Sequence, residues 1–280
     1  MPQFIIEANR SWFRIPWREI AEYRDLLWLL VRRDFVAKYK QTILGPAWFI
    51  IQPLLMSLMF TVIFGRVANI PTDSLPPMLF YLCGMLAWQY FAQCLKTTST
   101  TFVHNMHLFG KVYFPRLIVP LAVVISNMLA FFIQLITFAC FWLYYKYFTA
   151  AGSLIQVRPS AVLLPLLFLQ TAALGLGVGL WMSSLTAKFR DFIHLSEFLT
   201  QLWMYATPVV YPLSLLSEKW RWVSILNPMS SVVECYRLAL LGSGVMTFRY
   251  MAVSALITAV LLLSGILLFN RVERTFIDTV

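Results

Sequence analysis

The sequence predicts an all-α polytopic membrane protein, and three observations carry that expectation. Sixty per cent of the 280 residues are apolar and 12% are charged, where a soluble domain carries roughly a quarter charged residues. Mean hydropathy is +0.74. Six stretches free of Lys, Arg, Asp and Glu occupy just over half of the chain: 41–65, 74–95, 117–145, 159–187, 198–217 and 250–270. A hydrocarbon core about 30 Å thick needs about 20 apolar residues of helix, and each stretch meets that length. The expected fold has six transmembrane helices, an N-terminal amphipathic interface helix, and a re-entrant helical hairpin before the last span.

The first 40 residues form a cytoplasmic N-terminal segment in this reading. They hold eight basic residues and no short apolar core followed by a cleavage site, so no secretory signal is expected there. Within them, 17–39 mixes Ile20, Tyr23, Leu27, Leu30, Val31 and Phe35 with Arg24, Arg32, Arg33 and Lys38. Its longest apolar run, 26–31, is far too short to cross a bilayer. Such a helix lies in the headgroup plane with its basic face toward the cytoplasm. It either anchors the chain or frames a docking site for a cytoplasmic partner.

Six spans return both termini to one side, and the basic residues choose which. Fifteen of the 22 Lys and Arg residues fall on the side of the termini and seven on the other, so the termini are expected to be cytoplasmic. The net charge of +10 sits beside membrane spans, where orientation and anionic lipid account for it better than nucleic acid does. No nucleic-acid partner is expected. The domain boundaries are 1–40, a six-span domain over 41–270, and a cytoplasmic tail over 271–280.

The loop over 97–116 follows the second span on the cytoplasmic side. It carries His104, Asn105, Met106, His107, Leu108, Phe109, Lys111, Phe114 and Arg116. The His104/His107 pair lacks a nearby carboxylate or thiol, so metal binding is not expected. A short helix presenting Phe102, Val103, Met106, Leu108 and Phe109 at the membrane surface is a surface for another protein to cover. Cys83, Cys94, Cys140 and Cys235 show no paired or metal-ligand spacing and count as small apolar residues.

In the fourth span, Gly175, Gly177 and Gly179 imitate a nucleotide-binding glycine motif, but no strand precedes them and they sit in lipid. Close helix packing is the expected use. The chain carries no Gly-Lys-Ser or Gly-Lys-Thr phosphate loop. The external segment 218–249 holds two uncharged runs, 222–233 and 238–248, both too short to span. Breaks at Asn227-Pro228 and Gly242-Ser243-Gly244 suggest a hairpin dipping into the outer leaflet, with Glu234 and Arg237 paired at i, i+3.

An enzyme needs convergent acid–base or metal groups, and the acidic residues here are scattered. An ion-coupled carrier buries charge near mid-membrane, and none of the six stretches holds an acid or a base. The chain is therefore read as a permease, not an enzyme. An aromatic share of 16% clusters at span ends: Trp142, Tyr144 and Tyr145 after the third, Tyr205 and Tyr211 around the fifth. These rings serve as interfacial belts or line a path on which sugar faces stack. With Glu234 and Arg237 they make up the candidate glycan path.

Several motifs, in order, resemble the membrane subunit of bacterial ATP-binding-cassette exporters of cell-surface polysaccharide, the O-antigen exporters in particular. They are Tyr39-Lys40-Gln41-Thr42-Ile43-Leu44-Gly45-Pro46-Ala47-Trp48, Phe64-Gly65-Arg66, Lys111-Val112-Tyr113-Phe114-Pro115-Arg116, Arg190-Asp191, Thr207-Pro208-Val209-Val210-Tyr211-Pro212 and Leu226-Asn227-Pro228-Met229. The resemblance runs from about residue 30 to about residue 275, and residues 1–18 stay unmatched. It implies two copies of this chain around a channel in the inner membrane, a lipid-linked polysaccharide as cargo, and two cytoplasmic ATPase subunits that hold ATP and Mg. It also implies that the 97–116 loop and the helix before the first span rest on the ATPase. Capsule or teichoic acid polymers, small amphiphiles, and an enzyme acting on lipid-linked sugars are the alternative readings.

Overall fold

The computed structural model describes residues 17–40, 43–109 and 114–278, and every regular element among them is helical. The first elements among the described residues are α1 (Trp17–Glu22) and α2 (Arg24–Tyr39). A short 3-10 turn, Gly45–Ala47, leads into α3 (Trp48–Phe60), which continues as a π-helix over Thr61–Val67. Next come α4 (Pro77–Ser99), the two four-residue turns α5 (Thr101–His104) and α6 (Met106–Phe109), and α7 (Ile118–Phe148). After these follow α8 (Leu164–Lys188), α9 (Phe192–Ala206), α10 (Glu218–Ile225), α11 (Pro228–Leu241) and α12 (Phe248–Asp278).

Five of these segments are long and apolar enough to cross a bilayer: Gly45–Val67, Pro77–Ser99, Ile118–Phe148, Pro159–Lys188 and Phe248–Glu273. They correspond to the first, second, third, fourth and sixth uncharged stretches. The fifth stretch departs from the expectation of one continuous helix. There α9 ends at Ala206 after 15 residues, about 22 Å at 1.5 Å per residue, because Thr207-Pro208 breaks it. The rest of the stretch continues as an irregular, mostly buried segment through Leu213.

Helix plus segment still run the length of the bundle. Glu197 in α9 pairs with Lys96, near the C-terminal end of α4. Ser214 donates a 2.6 Å hydrogen bond to Asp73, in the loop that precedes α4. The run along the bundle is thus completed by irregular backbone, whose polar groups need partners wherever water is excluded. Below, the end of the bundle that holds α2, α5 and α6 is the α2 end, and the end that holds the α3–α4 loop is the α10 end.

The core helix is α4, nearly every residue of which is buried from Leu79 to Leu95. Its partners are α7, α8, α11 and α3. Glycines set the closest approaches. A Cβ on Gly179 would sit 2.6 Å from Thr98 Cβ, one on Gly175 2.8 Å from Cys94 Cβ, and one on Gly265 2.5 Å from the Gly177 carbonyl oxygen. The fourth-span glycines therefore pack α8 against α4 on one face and against α12 on the other, the small-residue contact that lets backbones approach in lipid.

By contrast α3 and α9 stand at the margin. Trp48, Leu55, Leu58 and Met59 are exposed on α3 and Val62 on its π-helical continuation, as are Phe198, Leu202 and Tyr205 on α9. In water such faces would be a liability. Along a bilayer they meet hydrocarbon or another subunit.

Candidate functional site: a helix break held by a buried ion pair, and a surface shared by α2, α5 and α6

The α10–α11 pair forms a helical hairpin whose turn falls at Leu226-Asn227. Asn227 N-caps α11, its side chain accepting from the Met229 N–H at 3.1 Å, and Pro228 fills the first helical position, where no N–H is needed. The same side chain uses its remaining groups on α9. Its oxygen also accepts from Trp203 Nε1 at 2.8 Å, and its nitrogen donates to Thr207 Oγ1 at 2.8 Å and to the Ala206 carbonyl at 3.4 Å. The turn of the hairpin is thereby tied to the end of α9.

That turn is also tied to α8 and α12. Ser254 donates to the Pro228 carbonyl at 2.9 Å and accepts from Gln170 Nε2 at 2.7 Å. Ser254 and Gln170 each sit six residues into their helices, about 9 Å from the helix starts. At its other end α11 stops at Gly242, whose φ of +78° is the left-handed conformation that glycine adopts without strain.

Arg237 and Glu234 lie along α11 between those ends, each side chain 1% exposed and 3.1 Å apart. Arg237 donates to the Val209 carbonyl at 2.6 Å and the Tyr211 carbonyl at 3.4 Å, and its guanidinium lies 3.7 Å over the Phe80 ring. Glu234 accepts from the Leu213 N–H at 3.1 Å. These are backbone groups that the break after α9 leaves without helical partners. Gly84 makes the room: a Cβ there would meet Arg237 Nη2 at 2.9 Å and the Val209 carbonyl at 3.1 Å.

Glu234 and Arg237, the two charged residues of the candidate glycan path, lie away from the surface of the chain. Both are enclosed by their own chain and spent on holding irregular backbone. Arg221, which sequence reasoning did not single out, extends the arrangement by donating to the Leu213 and Ser214 carbonyls at 3.1 and 2.8 Å. Asp73 adds an outer tie to Ser214 and Ser243. The signal that pointed here was chemical: a break motif followed by a buried acid–base pair.

The aromatic candidates divide. Trp142 is engaged, donating to the Leu240 carbonyl at 3.0 Å and so joining α7 to α11. Tyr144 is exposed and stacks on Phe148, Tyr145 meets Tyr144 edge on, and both Tyr145 and Tyr211 are half-buried. Tyr205 is exposed on α9.

At the α2 end, His104 and His107 are exposed and Met106 and Leu108 half-buried, but Phe102 and Phe109 are covered by their own chain. Phe102 stacks on Phe269 of α12 at 4.6 Å and meets Phe109 at 5.8 Å, and Phe109 lies 6.0 Å from Phe114. Phe102 and Phe109, expected to face a partner, thus form an intramolecular aromatic cluster with Phe114 and Phe269. Arg116 closes it, lying over the Phe109 ring and donating to the Glu273 carbonyl at 2.7 Å, with the Glu273 carboxylate 3.8 Å away. Burial lowers the proton affinity of Arg116, and Glu273 opposes that shift. Lys111 lies outside the described residues.

On α2, Leu30 is buried against the bundle, whereas Arg24, Arg32 and Arg33 are exposed. Lys38 belongs to the same helix, and its side chain lies outside the described residues. Arg33 pairs with Asp34 at 2.8 Å and reaches Asn105 at 3.3 Å. The helix before the first span and the loop after the second therefore form one continuous surface. Among the described residues no group of three or more His, Cys, Asp or Glu side chains gathers as metal ligands.

Known proteins resemble the chain along nearly all of this architecture. The family model for ABC-2 type transporters matches residues 25–241. Two proteins of Klebsiella pneumoniae, each named O-antigen export system permease protein RfbA, are 26% identical to it over 257 and 254 residues, 91% of this chain and 94% of theirs. A protein of Myxococcus xanthus with the same name is 27% identical over 265 residues, 94% of this chain and 98% of its own.

Proposed function

The chain belongs to the ABC-2 type transporter family, and on that premise we propose that it is the membrane subunit of an ATP-driven exporter that moves lipid-linked O-antigen polysaccharide across the bacterial inner membrane. The observation that carries this reading is end-to-end likeness: the relatives named as O-antigen permeases match more than nine-tenths of the chain. Two copies enclose the conduit, and two cytoplasmic ATPase subunits supply the energy. Both termini are cytoplasmic, with α9 and its broken continuation making the sixth crossing.

The geometry supports a division of labour. The surface built from α2 and α5–α6, with His104, Asn105, Met106, His107 and Leu108 joined to Arg33, suits an ATPase contact. Movement imposed there passes into α4 and into α12, on which Phe102 stacks and to which Arg116 hydrogen-bonds. Exposed Tyr144 and Tyr205 are the aromatic candidates left for sugar contact.

The test is genetic and biochemical. Cells lacking the chain lose surface O-antigen and accumulate the lipid-linked glycan inside, and the wild-type gene restores export. Substituting Glu for His104 and His107 together leaves insertion intact and abolishes export. Normal surface glycan in the deleted strain refutes the reading.

A further inference from the structure

A groove of about 370 Å³ lies between α4, α8 and α9, lined chiefly by Leu95, Val178, Met182, Leu199 and Trp203. That volume falls in the range of ligand pockets, about 300–1,000 Å³. Its hydroxyls are already engaged. Ser196 donates to the Ile193 carbonyl at 2.8 Å and Thr200 to the Ser196 carbonyl at 2.6 Å, so the groove presents hydrocarbon to an occupant.

The mouth toward the α2 end is charged. Leu95 and Ser196 line the groove, and the residues that follow them, Lys96 and Glu197, form an ion pair at 2.8 Å with side chains 61% and 47% exposed. The pair ties α4 to α9 directly beside the groove. Exposed Lys188 and Arg190 follow the groove residue Met182 by six and eight positions, so Lys188 lies about 9 Å further along α8. Asp191 is exposed at the same end, so Lys96, Lys188 and Arg190 stand against Glu197 and Asp191, and an apolar slot with this cationic excess at its mouth is complementary to an amphiphile with an anionic head.

We propose that this groove receives the lipid anchor of the cargo, with the tail in the slot and a phosphate of the headgroup taking Glu197's place on Lys96. The proposal rests on the lipid-linked cargo of the preceding reading. Lys96 is reachable from solvent, and phosphate forms charge-assisted hydrogen bonds at least as well as a carboxylate. The exchange frees Glu197 and loosens α9 at this end, while Asn227 keeps its far end fixed. Headgroup arrival is thereby converted into movement of the helix that leads to the break.

The experiment places a photoreactive amino acid at Leu199 in the full chain and embeds it in phosphatidylethanolamine vesicles containing an isoprenyl diphosphate-linked glycan as the probe. The glycan lipid is expected to be labelled above its share of the membrane. Lys96→Ala lowers that labelling by about tenfold, the order of one charge-assisted hydrogen bond. Lys96→Arg retains the labelling, which also shows that the site is folded, and Glu197→Gln increases it by removing the competing carboxylate. Labelling of phosphatidylethanolamine alone, or labelling indifferent to Lys96→Ala, overturns the proposal. Either result with O-antigen export intact leaves the export reading standing, whereas surface glycan persisting without the chain sinks that reading independently of the label.

Discussion

Replacing Arg237 with Met tests whether the break after α9 is held by the hairpin. The substitution keeps an apolar side chain over Phe80 and removes the guanidinium, so Glu234, 1% exposed, loses its counter-ion, and the Val209 and Tyr211 carbonyls lose a donor. Breaking a buried ion pair by removing one partner costs about 3–5 kcal/mol, mostly from the charge left behind. Each orphaned carbonyl is worth about 1–3 kcal/mol, and the terms overlap because the groups share one site. Taking about 3–5 kcal/mol as the total, and about 2–4 °C per kcal/mol for a chain of this size, Tm should fall by roughly 6–20 °C. The assay is a thermal melt of the purified chain in detergent, followed by tryptophan fluorescence. Adding Glu234→Leu removes the stranded carboxylate and should recover much of the loss, although the Leu213 N–H then lacks its acceptor. A single variant that melts within about 2 °C of wild type, or a double variant less stable than the single, refutes the clamp.

The remaining predictions concern the same joints. Gly84→Val inserts a side chain 2.9 Å from Arg237 Nη2 and should lower Tm as Arg237→Met does, while a parallel Gly65→Ala, whose new Cβ would meet nothing closer than Pro77 Cβ at 3.4 Å, should change it far less. Asn227→Ala removes a helix cap worth about 1 kcal/mol and strands the Trp203 N–H, so a cysteine placed at Thr207 should react faster with a thiol reagent than it does in the parent. Gly265→Leu drives a side chain into the Gly177 carbonyl at 2.5 Å and should prevent α8 from seating on α12, read as loss of folded protein on size-exclusion chromatography. Phe109→Asp buries a charge in the Phe102–Phe114 cluster and should reduce folded yield, whereas His107→Asp, at an exposed position, should keep the yield and impair export alone.

What could be read from sequence was what hydrophobicity decides on its own. Long uncharged runs gave five helices within a few residues of their ends, since no soluble alternative competes for 20 consecutive apolar residues. Glycine spacing in α8 announced close packing, and Asn227-Pro228 announced a helix start. Hydropathy could not reveal that the run over 198–217 divides, because an irregular segment sheltered by Arg237, Glu234 and Asn227 is as uncharged as a helix. Nor could it tell Phe102 and Phe109, facing Phe269 and Arg116, from aromatics facing a partner, since both settings favour the same residue types. The ring that Phe102 stacks on, Phe269, lies more than 150 residues further along the chain, a distance that local pattern does not carry.

The central claim is a conduit whose energy comes from a separate subunit. The direct measurement reconstitutes the purified chain in vesicles, with and without its co-expressed ATPase, and follows a fluorescent lipid-linked glycan across the bilayer after ATP is added. The account predicts ATP-dependent transfer only when both proteins are present, with neither transfer nor nucleotide turnover by the chain alone. Transfer or hydrolysis sustained by the isolated chain would contradict it.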